Sequence, residues 1–139
     1  MKHTAEMRVY YADTDAYQVV WHGAYLRWME AARVELTNLL GLDLKQLQET
    51  GDILPVRDLS IKYRLSAKLD DVLKIETEIE ECSPVKIVFK QIIRNKETDA
   101  VNIEARVTCV AVNTHTGKMY RKIPDYILDV CKNHSAVSA

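Results

Sequence analysis

The segment "DTDAYQVVWH", Asp13–His22, contains the residues of this sequence best suited to chemistry. Asp13 and Asp15 lie two residues apart and shortly precede the apolar group Val19, Val20 and Trp21. A carboxylate beside such walls can act as a general base or a nucleophile on an acyl carbon. Aspartate is also common in loops and near helix starts, where its oxygens accept backbone N–H bonds. The spacing fits both interpretations.

A helix is predicted directly after this segment, from Gly23 to Leu40, with Gly41 as its natural stop. The first N–H groups of a helix are unpaired, so this terminus could stabilise an oxyanion. Further apolar residues lie outside the main arc, so we expect the helix to be covered on more than one face. One arc of roughly 120° holds Tyr25, Trp28, Met29, Ala32, Leu36, Leu39 and Leu40.

After the helix the apolar period changes to two, which is typical of strands. The predicted strand runs are Leu59–Leu65, Leu73–Ile79, Lys86–Arg94 and Val101–Ala111. The breaks between them are short and polar, which favours antiparallel neighbours.

The ends of the chain carry weaker signals. Met7–Tyr11 is a candidate first strand, and Pro124 should open a short helix over Asp125–Cys131. Met1–Thr4 and Asn133–Ala139 are predicted to be loose.

This order of elements predicts a single α+β domain over residues 1–139. A five-stranded antiparallel sheet would lay its apolar inner face on the one long helix. On the opposite face we predict Val88, Val110 and Val112, which would favour contact with a partner subunit.

Composition excludes several classes of function. The chain has 139 residues, 47% apolar and 28% charged, with a formal net charge of −1. No global field would attract nucleic acid or an anionic membrane, no apolar run suits a bilayer span, and the start does not read as a secretory signal. Cys82, Cys109 and Cys131 form no CxxC pair, so we expect reduced thiols, no metal site and a cytoplasmic location.

The longer segment "DTDAYQVVWHGAYLRWMEAAR" resembles the active-site segment of the 4-hydroxybenzoyl-CoA thioesterase family, especially its Tol–Pal-associated acyl-CoA thioesterase branch. A second segment, "LSIKYRLSAKLDDVLKIET", is similar to a strand–turn–strand of that family. The resemblance spans roughly residues 7–126. The family pattern is matched at Asp13, Asp15, Ala16, Val19, Val20, Trp21, His22, Tyr25, Leu26, Glu30, Ala32 and Arg33.

The resemblance implies the hotdog fold and hydrolysis of short-chain or aromatic acyl-CoA thioesters. Asp15 would be the catalytic carboxylate. The His22 N–H would polarise the thioester carbonyl, and its side chain could orient water or Asp15. Val19, Val20, Trp21 and Tyr25 would contact the acyl group, although by pattern alone Tyr25 is a core residue and His22 an ordinary histidine near a helix start. The reaction needs only water, so no cofactor is implied.

Three positions near the motif have separate interpretations. The family usually has glycine where this sequence has Gln18, which implies a different turn or a more occluded pocket mouth. Glu30 and Arg33 are spaced to pair on the helix surface, an arrangement we interpret as structural. Asp13 is expected to shape the turn.

Coenzyme A carries phosphates, so its site needs cations. The main candidates are Arg57, Lys62 and Lys86. The further candidates are Arg64, Lys90, Lys118, Arg121 and Lys122. Each is also explained as part of a solvated strand face. The resemblance further implies a homodimer joined edge to edge, or a homotetramer, with sites between protomers.

Two other functions remain open on sequence grounds. A hotdog hydratase or dehydratase would pair a histidine with an acid on the central helix, for which His22 and Glu30 are available. A non-catalytic acyl-CoA binding or envelope-interaction module would be compatible with the change at Gln18.

Overall fold

The computed structural model describes residues 1–135, so positions 136–139 of the segment predicted to be loose lie outside the described residues. Its helices are α1 (His22–Leu39), α2 (Leu44–Thr50) and α3 (Asp125–Asn133). Its strands are β1 (Lys2–Arg8), β2 (Asp52–Ile53), β3 (Val56–Tyr63), β4 (Val72–Cys82), β5 (Ile87–Asn95), β6 (Val101–Cys109), β7 (Val112–Asn113) and β8 (Lys118–Met119).

Five strands form the main sheet, in the order β1-β4-β5-β6-β3. Every neighbouring pair in it is antiparallel. The predicted α+β class and the antiparallel pairing are therefore confirmed. The first strand was placed wrongly, because Lys2–Arg8 pairs with β4 and includes the residues expected to be loose. Its inward residues are His3, Ala5 and Met7, a pattern too weak to identify before the pairing is known.

Helix α1 packs on the inner face of this sheet. Trp28, Met29, Ala32 and Leu36 are buried there, as predicted, whereas Leu39 is exposed near the helix end. The buried Gln91 of β5 fixes the contact, because its Nε2 donates to the Met29 carbonyl at 2.9 Å and to Thr77 Oγ1 at 3.0 Å. A polar group buried in this way specifies how the helix lies on the sheet.

The outer face of the sheet is charged. Arg94 pairs with Glu76 and Arg106 pairs with Glu80, each with an N–O distance of 2.7 Å. The prediction that Val88 and Val110 favour contact with a partner subunit is wrong, since both are already buried within the chain. They give no apolar patch for a partner on that face.

Helix α2 and the small sheet β2-β7-β8 were missing from the sequence prediction. The helix is short, and it is capped by Asp43, whose Oδ1 accepts the Lys45 N–H at 2.9 Å. Two-residue strands carry no readable period, so only their tertiary pairing defines them. Among residues 1–135, no helix is long and apolar enough to cross a membrane.

A buried carboxylate, Asp52, joins the small sheet to α3. It accepts hydrogen bonds from the Tyr120 hydroxyl at 2.6 Å and from the Tyr126 hydroxyl. Burial and then the bond to Asp52 raise the pKa of Tyr126, and the bond to Asp52 raises the pKa of Tyr120. The terminal helix is thus anchored through a neutral tyrosine.

We expect Tyr126→Phe to lower the free energy of unfolding by about 1 kcal/mol near pH 8, because a hydrogen bond to a buried carboxylate is lost. A raised folded pKa stabilises the fold fully below the unfolded value, near pH 10, and this contribution disappears as pH rises through the folded value. The free energy of unfolding, measured with urea between pH 8 and pH 11, should therefore fall more steeply with pH for the wild type than for Tyr126→Phe. Tyr11→Phe, at an exposed tyrosine, is the control, and equal slopes for the wild type and Tyr126→Phe would contradict the anchor.

Candidate active site

The loop before α1 folds as a tight hairpin. Thr14 and Val20 pair across it, and the Asp15 N–H donates to the Val19 carbonyl at 2.9 Å. The Gln18 N–H donates to the Asp15 carbonyl at 2.9 Å. Gln18 has a φ of 64°, the left-handed region that glycine enters without strain. Gln18 thus adopts the backbone conformation suited to the family's glycine, which removes the expected reason for a different turn.

The structure confirms that Asp13 shapes the turn. Its buried carboxylate accepts the Tyr10 N–H at 2.9 Å and lies 3.3 Å from the Arg27 guanidinium. Its backbone carbonyl accepts the Trp21 N–H at 3.1 Å. Since both of its oxygens are occupied by the fold, Asp13 is not the free carboxylate of the segment.

Asp15 is neither buried nor occupied by the fold at both of its carboxylate oxygens. Its side chain is exposed, and Oδ1 accepts the Tyr17 N–H at 2.8 Å. Among residues 1–135, no hydrogen bond is formed to the second oxygen, Oδ2. One oxygen therefore fixes the orientation of the carboxylate, and the other is available to a substrate or a water molecule.

Helix α1 begins immediately after the hairpin. Trp21 is its N-cap residue, and no side chain caps this terminus. The Trp21 ring lies across the first turn, so close that a Cβ added at Gly23 would meet it at 2.1 Å. The absence of a side chain at Gly23 thus permits this ring position.

A cavity of about 110 Å³ lies between the hairpin, the start of α1 and the end of β3. It brings together six of the residues predicted from the sequence, including Arg64, and the three that the prediction missed come from the second family-like segment. Trp21 does not line it. The lining consists of Asp15, Val19, Val20, His22, Tyr25, Tyr63, Arg64, Leu65 and Ser66.

Aromatic rings form one wall of this cavity. The Tyr63 ring centroid lies 4.6 Å from that of His22 and 5.9 Å from that of Tyr25. The buried Tyr25 hydroxyl accepts the Ala67 N–H at 3.0 Å, and burial raises the pKa of this tyrosine. Ala67 also accepts the Val20 N–H at 2.9 Å, so a single residue ties the β3–β4 loop to both the hairpin and the helix.

The other wall is held by β6. Arg64 donates through Nε and an Nη to one Glu104 oxygen, at 3.0 and 2.7 Å. The buried Asn102 donates from Nδ2 to the Leu65 carbonyl at 2.9 Å. These contacts fix residues 64 and 65 at the cavity.

Three of the cations predicted for coenzyme A lie outside this cavity. Arg57 contacts Met119 with an N–S distance of 3.7 Å, Lys86 lies 4.0 Å from Glu81, and Lys62 is exposed on β3. None of the three lines the cavity, whereas Arg64 does. Their role in binding phosphate stays a prediction.

Two further sequence-based predictions concern pairs of side chains on α1. The prediction of a surface ion pair between Glu30 and Arg33 is wrong, because the Arg33 Nη1 donates instead to the buried Gln91 Oε1 at 2.9 Å. His22 and Glu30, the pair that a hydratase would need, line different cavities. Among residues 1–135, no three His, Cys, Asp or Glu side chains are grouped as a metal site.

We expect Gln18→Gly to raise the free energy of unfolding by about 0.5–1 kcal/mol. The substitution removes the strain of a left-handed glutamine, and the extra freedom of glycine in the unfolded chain offsets only part of that gain. Urea unfolding measures the change. Gln48→Gly is the matched control, because Gln48 lies in helix α2, where glycine should destabilise. A lower stability for Gln18→Gly would contradict the left-handed turn.

Comparison with known proteins adds a separate line of evidence. The family model described as the thioesterase-like superfamily matches residues 9–130. The acyl-CoA thioesterase YbgC of Haemophilus influenzae is 38% identical over 105 residues, which are 75% of this chain and 77% of that protein. The predicted membership of a thioesterase family is thereby confirmed.

Solved structures agree on the fold. A DHNA-CoA thioesterase from Staphylococcus aureus has a TM-score of 0.82 at 29% identity and covers 91% of this chain and 86% of its own. A 4-hydroxybenzoyl CoA thioesterase complexed with 4-hydroxybenzoyl CoA has a TM-score of 0.83 at 22% identity, with 94% and 98% covered. The second likeness concerns the fold alone.

Proposed function

This chain belongs to the thioesterase-like superfamily, and from that membership we propose that it hydrolyses acyl-CoA thioesters to a free acid and CoA. Acyl-CoA thioester hydrolysis is the activity named for its YbgC relatives. The chain is accordingly a thioester hydrolase.

One observation carries the site assignment. The free oxygen of Asp15 and the uncapped start of α1 border the same small cavity. A thioester carbonyl placed there would accept a hydrogen bond from the His22 N–H, and the helix dipole would favour the oxyanion that forms. This arrangement suits attack on an acyl carbon.

In the proposed reaction, Asp15 starts the attack. It either removes a proton from a water that attacks the acyl carbon, or attacks that carbon itself to form an anhydride that water then cleaves. In both routes the C–S bond breaks and CoA leaves as the thiolate. The Tyr17 N–H holds Asp15 Oδ1 in either route, so Oδ2 is the reacting oxygen. A single turnover in ¹⁸O-labelled water identifies the nucleophilic route if the acid is released unlabelled and Asp15 gains the ¹⁸O, because water has then cleaved the anhydride at the Asp15 carbonyl.

The acyl group would lie against Val19, Val20 and the ring of Tyr25. Tyr63 adds a ring that stacks on His22, and Trp21 stands at the edge of the site with about half of its surface exposed, 51%. Apolar and aromatic walls accept a short aliphatic chain and an aromatic acyl group alike. The proposal therefore covers both classes.

We also propose a dimer joined through β3, with the sheet of each protomer wrapped around its α1 as in a hotdog fold. Strand β3 is one edge of the main sheet. Leu59 and Tyr63 share the inner face with Val107 and Ile103, their register partners, yet they are 38% and 44% exposed against 1% and 0%. An open edge with apolar inner residues is a ready-made pairing surface. Tyr63 lines the cavity, so pairing along β3 would complete the site between protomers.

Release of free CoA thiol from a panel of acyl-CoAs tests the function. The panel runs from acetyl to palmitoyl and includes benzoyl, 4-hydroxybenzoyl and phenylacetyl. Turnover that Asp15→Asn abolishes would support the assignment and identify the acyl class at once. No turnover with any member, together with measurable acyl-CoA binding, would favour a binding module.

A further inference from the structure

Three cysteines lie far apart in the sequence, and the fold brings two of them into contact. Cys82 is the last residue of β4, and Cys131 lies in the last turn of α3. Both belong to the same hydrophobic cluster, Cys131 as a buried residue and Cys82 as a partly buried one. A side-chain hydrogen bond joins the two thiol groups. The three cysteines within residues 1–135 are free thiols in this structure.

Helix α3 is held against β4 on both sides of Cys131. Before the helix, the Ile123 N–H donates to the Pro84 carbonyl of the β4–β5 turn at 2.7 Å. After the helix, Ser135 pairs with Ile79 of β4. The contact between the two thiols is therefore fixed by the backbone at both ends of α3 and does not depend on one flexible side chain.

The sheet excludes the third thiol, Cys109, as a partner of Cys82. Ile87 on β5 is the register partner of Cys82 on β4 and also of Cys109 on β6. The two cysteines are therefore two strand spacings apart, which is roughly 9–10 Å. A disulfide needs Cα atoms within about 7 Å of each other. Cys131 is thus the thiol that can reach Cys82.

The two thiols of this pair differ in reactivity. Burial raises the pKa of Cys131 to about 12, and the side chain is only 1% exposed. Burial also raises the pKa of Cys82, but the Lys132 charge and the Cys131 S–H act against that rise. Cys82 is half-buried, so a small reagent reaches it. Because the thiolate is the nucleophile, Cys82 reacts first and Cys131 second.

From this contact between two thiols on adjoining elements, we propose that Cys82 and Cys131 form an oxidation site, at which a hydroperoxide closes a reversible disulfide between β4 and α3. With hydrogen peroxide, the Cys82 thiolate attacks one oxygen and the O–O bond breaks. Cys82 becomes a sulfenic acid, and the departing hydroxide takes up the proton that Cys82 released. The Cys131 sulfur then attacks the Cys82 sulfur, the S–O bond breaks, and the second hydroxide takes the Cys131 proton. Two thiols and one peroxide thus give one disulfide and two water molecules.

The test is peptide mapping of the full-length protein after treatment with hydrogen peroxide and blocking of the remaining thiols. Trypsin places the three cysteines in separate peptides, 75–86, 107–118 and 123–132. We expect the first and third peptides to be joined and the second to carry the blocking group. The count of free thiols should fall from three to one, and dithiothreitol should restore all three.

The disulfide should also stabilise the fold, because it closes a long loop of the unfolded chain. We expect oxidation to raise the thermal unfolding midpoint by roughly 5–10 °C. Cys82→Ala should lose both the linkage and this rise, whereas Cys109→Ala, the matched control, should keep both. In Cys131→Ala, peroxide should instead carry Cys82 to a sulfinic acid that dithiothreitol does not reduce. Cys82 is partly exposed, so Cys82→Ala keeps the test decisive even if Cys131→Ala fails to fold.

Three results would overturn the proposal. The first is persistence of three free thiols in the folded protein under conditions that oxidise the urea-unfolded chain. The second is a bond that includes Cys109. The third is a sulfinic acid at Cys82 of the wild type, since Cys131 would then be out of reach of the oxidised sulfur. The catalytic cavity of the described chain is lined by other residues, so each outcome is independent of the thioesterase reaction.

Discussion

Asp15→Asn is expected to lower kcat for acyl-CoA hydrolysis by roughly 10²–10⁴, the usual worth of a positioned acid–base group. The amide oxygen of asparagine can still accept the Tyr17 N–H that holds the wild-type carboxylate at 2.8 Å. The hairpin and the cavity should therefore persist, and substrate affinity should change little. Steady-state kinetics on the best acyl-CoA of the panel, with a direct binding measurement, separates the two effects.

The control for this substitution is Asp129→Asn, at an exposed carboxylate on α3. It should leave kcat and KM unchanged. Full activity of a clean Asp15→Asn preparation would show that the reacting carboxylate is elsewhere. A large rise in KM at constant kcat would instead mean that Asp15 contributes to binding and not to the chemical step.

The second large effect is expected at the open edge of the sheet. Leu59→Glu places a charge on the inner face of β3, beside the strand edge that we propose to pair with a second copy. A buried charge without a partner should prevent pairing. We expect a monomer by light scattering and a loss of about 100-fold in kcat/KM, because the cavity at Tyr63 would remain incomplete and the substrate poorly placed.

Val85→Glu is the matched control, since Val85 is an exposed valine in the β4–β5 turn, away from β3. It should remain dimeric and active. If Leu59→Glu were folded, monomeric and fully active, the proposal of a site between protomers would be wrong. If it stayed dimeric, the interface would lie on another surface.

Local patterns in the sequence were sufficient for much of the fold. The period of α1 predicted its position to within one residue at either end, because an 18-residue amphipathic helix repeats its signal several times. The alternation along β4 to β6 and the short polar turns between them predicted antiparallel pairing in the same way. The long motif around Asp15 and His22 predicted residues that line one common cavity, which we propose as the active site.

Other features depend on contacts between segments distant in sequence. β1 alternates only weakly, and its pairing with β4 defines it. β2, β7 and β8 are too short for any period. Val88 and Val110 alternate like outward residues but are covered by the chain itself. A periodic pattern reports which side a residue faces and does not report what covers that side.

The sequence by itself therefore determined the family, the α+β class and the helix, because these follow from local pattern and residue type. Only the tertiary structure decided that Asp13 is occupied by the turn while Asp15 keeps a free oxygen, that Tyr63 and Arg64 complete the cavity, and that Arg33 turns from Glu30 to Gln91. Those outcomes depend on which partners come within hydrogen-bonding distance, and that distance is set by the packing of the whole chain.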